Sequence, residues 1–376
     1  MTIAVAGPLQ DQLSAPPRGA AATTRVASLD ALRGLAALSV VACHFLLLLA
    51  DTPFGHHLTP WLQLPPFSLF QTAYGAVILF FVLSGYVLAL SLAGDNGPPS
   101  WGGFAVRRFC RIWPPFALTI LISFVIGYVA VSAEPAVGSI WQNNTWQRGD
   151  LGLWAFAGQI SMAASQIGLD MPGWSLVYEL RITLAFPLLL LVLRWAPAST
   201  IGVSFCLQLA SRLGPPWLTA LIPATATFIV FFAAGAWLAV DGAPVARLRR
   251  ASPTMRTVLA GVAVLFLSVP SGVSLSGVIA GLGAVLIIAV VVASPEIDRV
   301  LSVPCCVALG RVSYSLYLTH VVVLMALGRL LGSLLPVWMI LAIAAPVIAV
   351  VACAGYRWVE QPSIRLGRSI ASRLRG

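Results

Sequence analysis

Arg33 and His44 are the residues whose types and spacing most directly suggest chemistry. They stand in the stretch Leu29-Asp-Ala-Leu-Arg-Gly-Leu-Ala-Ala-Leu-Ser-Val-Val-Ala-Cys-His-Phe, eleven positions apart. Eleven steps of about 100° return to within roughly 20° of the starting direction, so both side chains share one stripe of a helix, about 16 Å apart along its axis. An imidazole inside an apolar run is costly, and such a residue faces a bundle interior or a water-filled cavity. Its intrinsic pKa suits it to take a hydroxyl proton near neutrality. A histidine that only bonds a neighbouring helix fits the same pattern, and the pair by itself leaves both readings open.

Acyl transfer from a thioester to a hydroxyl is a reaction that the other polar residues would support. It needs a base for the hydroxyl proton, donors for the developing oxyanion, and a place for each substrate. Glu179 falls about five residues inside the outer end of its apolar run, His44 about eleven to fourteen from the inner end of its own, and His320 about ten from the inner end of a later one. Three ionisable groups at one depth point to a polar cavity. Glu179 could equally pair with Arg181 or serve a helix N-terminus, and His320 could bond an adjacent helix. Ser84 precedes Gly85, where backbones approach closely, which favours packing; no Gly-x-Ser-x-Gly turn is present. Arg33, Arg107, Arg108 and Arg111 gather at the edges of apolar runs, where the planar guanidinium suits phosphate; topology and anionic lipid are the competing uses of Arg107 and Arg108.

These groups need a scaffold in lipid. The chain of 376 residues is 59% hydrophobic and 9% charged, with mean hydropathy +0.93, which excludes a water-facing core and predicts an all-α integral membrane protein. Every basic residue is Arg and the formal net charge is +10. The arginines cluster between apolar runs, which reads as membrane topology and not as a nucleic-acid stripe. At about 20 apolar residues per span, the expected transmembrane helices are roughly 31–50, 69–93, 112–132, 174–193, 199–212, 217–240, 257–271, 274–293, 308–330 and 336–356, about ten in all. With both termini cytoplasmic, nearly all arginines fall inside; Arg148, Arg212 and Arg329 fall outside and Arg181 within a span.

Residues 1–28, rich in Ala, Pro and small polar types, are expected as a disordered cytoplasmic tail, 29–364 as the membrane domain and 365–376 as a basic cytoplasmic tail. The longest external connection is expected at about 133–173, with Trp141, Trp146 and Trp154 and a weakly apolar piece at 151–165 suited to the interface. The six cysteines fall in spans or on the inner side, so neither a structural disulfide nor a metal site is expected.

Several short motifs occur in order, and together they resemble the acyltransferase-3 family of multi-spanning membrane O-acyltransferases over about residues 27–364. Asp30, Arg33, Gly34 and His44 match its opening signature. Phe80-Phe81-Val-Leu-Ser84-Gly85-Tyr86 is similar to its second-span segment. Arg107-Arg108-Phe-Cys-Arg111-Ile112-Trp-Pro114 is similar to its basic segment before the third span, with Phe116 where tyrosine is customary. Trp174-Ser175-Leu176-Val-Tyr-Glu179 follows, and Ser313-Tyr314-Ser315-Leu316-Tyr317-Leu318-Thr-His320 with Glu360-Gln-Pro362 closes the series. After Glu179 the chain departs from the pattern. Leu180, Arg181, Ile182 and Thr183 stand where members commonly carry another acidic or polar residue and an aromatic pair.

The resemblance implies a multi-pass enzyme of the cell membrane that moves an acyl group, acetyl first among them, from cytoplasmic acyl-coenzyme A to a hydroxyl of an extracytoplasmic or lipid-linked carbohydrate. In that reading His44 and Glu179 are catalytic, Arg33, Arg108 and Arg111 hold the coenzyme A phosphates, and Trp174, Ser175, Ser84 and His320 serve the acceptor. No metal or resident cofactor is implied. Membrane lipids and polysaccharide biosynthesis machinery are the expected partners, and nucleic acid is not. Two alternatives stand beside it: acylation of a secreted small molecule such as a macrolide, and a small-solute transporter, whose internal repeats are not seen in the sequence.

Overall fold

In hydrocarbon a backbone must satisfy its own N–H and C=O groups, so the long apolar runs of this chain fold as helices. The structure, a computed structural model, describes residues 20–93, 100–130, 146–273 and 275–374, and the regular structure among them is helical throughout. In chain order the helices are α1 (Ala20–Leu49), α2 (Pro53–Leu62), α3 (Leu69–Thr72), α4 (Tyr74–Ala93), α5 (Trp101–Ala130), α6 (Leu153–Ile160), α7 (Gly173–Trp195), α8 (Pro197–Leu213) and α9 (Pro216–Leu221). There follow α10 (Ala224–Asp241), α11 (Ala243–Arg250), α12 (Pro253–Leu267), α13 (Ser276–Ala293), α14 (Pro295–Leu301), α15 (Pro304–Leu331), α16 (Val337–Gly355), a π-helical turn Tyr356–Glu360, and α17 (Gln361–Arg373).

Each expected span falls largely on helix, with the run 217–240 divided at Ile222-Pro223 between α9 and α10. Among the described residues eight helices are long and apolar enough to cross a membrane: α1, α4, α5, α7, α10, α13, α15, and α16 with its continuation. The two short runs are α8, of 17 residues, and α12, of 15. At 1.5 Å per residue they rise about 26 and about 22 Å, less than the roughly 30 Å of a hydrocarbon core. Both end beside the longer helices. Tyr74 and Trp174 near the starts of α4 and α7, Arg212 at the end of α8, Ala224 at the start of α10 and Ser271 just after α12 all line one cavity.

Several expectations are corrected. The run 69–93 is broken at Ala73, whose left-handed backbone (φ 49°) separates α3 from α4. Helix α1 begins at Ala20, so residues 20–28 are helical where composition predicts a disordered tail; the rest of that tail lies outside the described residues, as does Trp141. Trp146 is buried, and its indole N–H donates to Ser123 Oγ at 2.8 Å. The weakly apolar piece at 151–165 carries α6, whose Trp154 is 92% exposed. Residues 365–373 belong to α17, which packs along α5 with Gly367 and Ala371 buried against it.

Helices α1 and α15 hold the centre of the bundle. A Cβ added to Gly34 would come within 2.6 Å of Gly310 N, so the two backbones touch where neither carries a side chain. Ten residues further along both helices His44 meets His320. Equal advance along both chains means that α1 and α15 run parallel.

Candidate active site

The two histidines determine each other's protonation. His44 Nδ1 lies 2.9 Å from Val40 O, one turn back on α1, and His320 Nδ1 lies 3.1 Å from Leu316 O on α15. A carbonyl only accepts, so each Nδ1 carries the proton. His320 Nε2 then holds its lone pair and accepts from His44 Nδ1–H at 3.1 Å, a proton shared with Val40 O. The network thus assigns His44 the tautomer whose basic nitrogen is Nε2. Both rings are buried, His320 completely, and they meet edge to face with centroids 4.9 Å apart. His320, fully buried and bonded to His44, is placed to orient its neighbour.

Tyr317 connects this pair to α7. Its hydroxyl lies 2.7 Å from Ser175 Oγ, and both hydroxyls reach Pro172 O, at 3.0 and 3.1 Å. Ser175 is therefore buried and engaged in holding α7 against α15. Trp174, its neighbour, lines a cavity of about 960 Å³. There its ring packs against Phe228 at 5.7 Å, and Tyr178 packs on Phe228 at 4.9 Å. Gln147, Gln166 and Thr227 add polar groups to the same walls.

A second cavity, of about 590 Å³, opens at the other end of α4, where Ser91 meets Arg107, Arg108 and Arg111 of α5. Ser91 lies about 26 Å from Tyr74 along the α4 axis. Phe80, between them, packs edge-on against Tyr317 at 5.5 Å, which sets the histidine pair at a depth between the two cavities, although neither ring lines either one. Arg108 lies over the Phe104 ring, 5.7 Å from its centroid. Arg33 lines neither cavity. Its Nη1 is 3.1 Å from Asp30 Oδ1, and it lies within electrostatic reach of Arg111, Glu179 and Glu360.

Glu179 Oε1 accepts from Ser84 Oγ at 3.0 Å, tying α7 to α4. The ion pair between Glu179 and Arg181 does not form, because Arg181 turns to the preceding loop and donates to Met162 O and Ala163 O at 2.8 and 2.9 Å. The structure therefore joins His44 to His320, Ser84 to Glu179, and Ser175 to Tyr317, and it sets Arg108 and Arg111 in one cavity and Trp174 in the other.

Sequence reasoning passed over four further groups. Tyr317 and Ser315 sit inside a recognised motif, yet their partners lie far away in the chain; Ser315 Oγ donates to Glu360 Oε2 at 2.7 Å across the π-helical turn. Asp170, in the loop before α7, is fully buried, and neither carboxyl oxygen has a hydrogen-bond partner among the described residues. Burial holds its pKa well above the usual carboxylate range. Asp150, lining the larger cavity, is also raised by burial, against the opposing effect of the Gln147 N–H. Among the described residues no group of three or more His, Cys, Asp or Glu is arranged to hold a metal ion.

A family profile described as an acyltransferase domain matches residues 26–357. The chain is 32% identical over 217 residues to acyltransferase MdmB of Streptomyces mycarofaciens, a match covering 56% of this chain and 50% of that protein. The chain thus spans about half the length of that curated relative. No solved structure matches it. The profile runs from α1, which bears His44, to the π-helical turn after α16, across the whole set of membrane-length helices. The chain belongs to the acyltransferase-3 family, and its long apolar helices are those of a multi-pass membrane protein.

Proposed function

We propose that the protein moves an acyl group, acetyl in the first instance, from acyl-coenzyme A in the arginine-lined cavity to a hydroxyl of a carbohydrate in the aromatic cavity, with His44 as general base. The observation that carries this reading is the hydrogen-bonded pair His44–His320, set at a depth between an arginine-lined and an aromatic-lined cavity, with a bond pattern that assigns Nε2 of His44 as the basic nitrogen. Guanidinium groups suit the phosphates of the donor. Aromatic faces with amide and hydroxyl groups around them suit a sugar ring, which presents C–H faces and a rim of hydroxyls. The arginine distribution supports placing the donor side in the cytoplasm and the acceptor side outside the cell membrane. Polysaccharide biosynthesis machinery would then supply the acceptor.

The hydroxyl proton passes to His44 Nε2 as the oxygen attacks the thioester carbonyl. The C–S bond of the resulting tetrahedral species breaks, and the thiolate takes the same proton back from Nε2 to leave as coenzyme A. While Nε2 is protonated, the Nδ1–H of the imidazolium donates to Val40 O and His320 Nε2, two neutral acceptors already in place. Glu179, held by Ser84, is the second catalytic candidate. Arg33, within electrostatic reach of Arg111, adds positive potential on the donor side.

The test uses purified protein, acetyl-coenzyme A and a panel of bacterial glycans, reading free thiol and acylated product by mass. Acceptor-dependent thiol release is expected, and His44→Ala should lower it by about 10²- to 10⁴-fold, the typical contribution of a general base. A His44→Ala protein that is folded and fully active removes the central claim. Solute movement without thioester cleavage would identify a transporter.

A further inference from the structure

We infer that α17 supplies one wall of a phosphate-binding cleft, in which Arg368 and Ser372 act with Arg107, Arg108 and Arg111 to hold the 3′-phosphate and pyrophosphate of acyl-coenzyme A. This rests on the donor proposed above and extends its site to a segment that composition reads only as a basic tail.

The cleft is built by close helix packing. A Cβ on Gly367 would lie 2.8 Å from Cys110 Cβ and 3.3 Å from Arg107 Cα, so α17 presses onto α5 beside the α5 arginines. Ile364, Arg368 and Ser372 recur at four-residue spacing, which forms one stripe of α17, and all three line the cavity of about 590 Å³. The same cavity takes its opposite wall from Arg107, Arg108 and Arg111, and among the described residues no acidic side chain lines it. Four guanidinium groups around one cleft repel each other unless a polyanion sits among them, and their planar donors match phosphate oxygens. The volume suits the nucleotide part of a cofactor-sized ligand. Lipid headgroups carry the same phosphate chemistry. The position of the cleft, at the opposite end of α4 from the aromatic cavity and with the histidine pair between, favours the donor.

Adenosine 3′,5′-bisphosphate, which has the donor's 3′-phosphate and the first phosphate of its pyrophosphate but no thioester, is the direct probe. It is titrated into full-length wild-type, Arg368→Ala and Arg368→Lys proteins in nanodiscs of zwitterionic lipid, with a parallel set containing phosphatidylglycerol. Arg368→Ala should weaken binding about tenfold, the scale of one charge-assisted hydrogen bond, and Arg368→Lys should recover part of it. In turnover, Arg368→Ala should raise KM for acetyl-coenzyme A by a similar factor and affect 3′-dephospho-acetyl-coenzyme A much less. Binding of the bisphosphate that ignores Arg368, or its absence in zwitterionic discs, overturns the proposal. Its suppression by phosphatidylglycerol alone, without any Arg368 effect on KM, identifies a lipid site and overturns it too. If His44→Ala abolishes turnover while Arg368→Ala leaves KM unchanged, the cleft assignment fails and the acyltransfer reading stands. If the bisphosphate binds through Arg368 but no thioester is cleaved, the cleft stands and the donor reading fails.

Discussion

Replacing His320 with leucine separates the orienting role of this residue from a merely structural one. His320 is fully buried, so an apolar side chain of comparable size keeps the packing between α1 and α15. His44 Nδ1–H still donates to Val40 O at 2.9 Å, so the neutral tautomer survives and no donor is orphaned. The loss appears only after Nε2 takes the proton, when the imidazolium Nδ1–H has lost one of its two acceptors. Hydrogen bonds to charged groups contribute about 1.5–3 kcal/mol, so kcat should fall about 10- to 150-fold. KM for donor and acceptor should stay near wild type, because the lost interaction belongs to the charged state formed on the reaction path. His320→Gln, whose amide oxygen can accept from Nδ1–H, should recover part of the rate. The assay is steady-state thiol release by protein that elutes as a single folded species, with kcat and KM determined separately. A folded His320→Leu enzyme with wild-type kcat refutes the reasoning, as does a glutamine variant no faster than leucine.

Two further perturbations test the scaffold and the loop. Gly310→Val forces a side chain into the α1 backbone at Asp30 and should lower stability by about 1–3 kcal/mol or more, with loss of turnover as the histidines separate. Gly102→Ala, where a Cβ meets nothing within 4 Å, is the control and should retain thermal stability. Asp170→Asn probes an acid whose folded pKa lies above its unfolded value, so its contribution to stability is present below about pH 4 and lost as pH rises toward the folded value. Between pH 4 and pH 8 the wild-type melting temperature should therefore fall more steeply than that of Asp170→Asn, and identical slopes in a thermal-shift assay would contradict the assignment.

The helices were legible without a structure because in lipid each backbone group must pair within its own segment, which makes secondary structure a local property of apolar runs. His44, Glu179, Arg108 and Trp174 could be singled out for a related reason, since polar side chains in or beside such runs are conspicuous against them. What each touches was not legible. His44 and His320 are 276 positions apart, and Ser84 and Glu179 are 95 apart. No periodicity carries those pairings, which arise from the contact of Gly34 with Gly310 and from the meeting of α4 with α7.

The same division explains the misread segments. Ala73 interrupts an unbroken apolar run through its left-handed backbone, and α17 resembles a soluble basic tail because its few small apolar residues gain meaning only against α5. Composition and local spacing determined a helical membrane protein, and its ordered motifs carried the resemblance to its family and singled out His44. Packing between distant helices decided which nitrogen of His44 is basic, which residue orients it, and which arginines face a common cleft, because hydrogen bonds and close backbone contacts depend on positions in space that local rules leave undetermined.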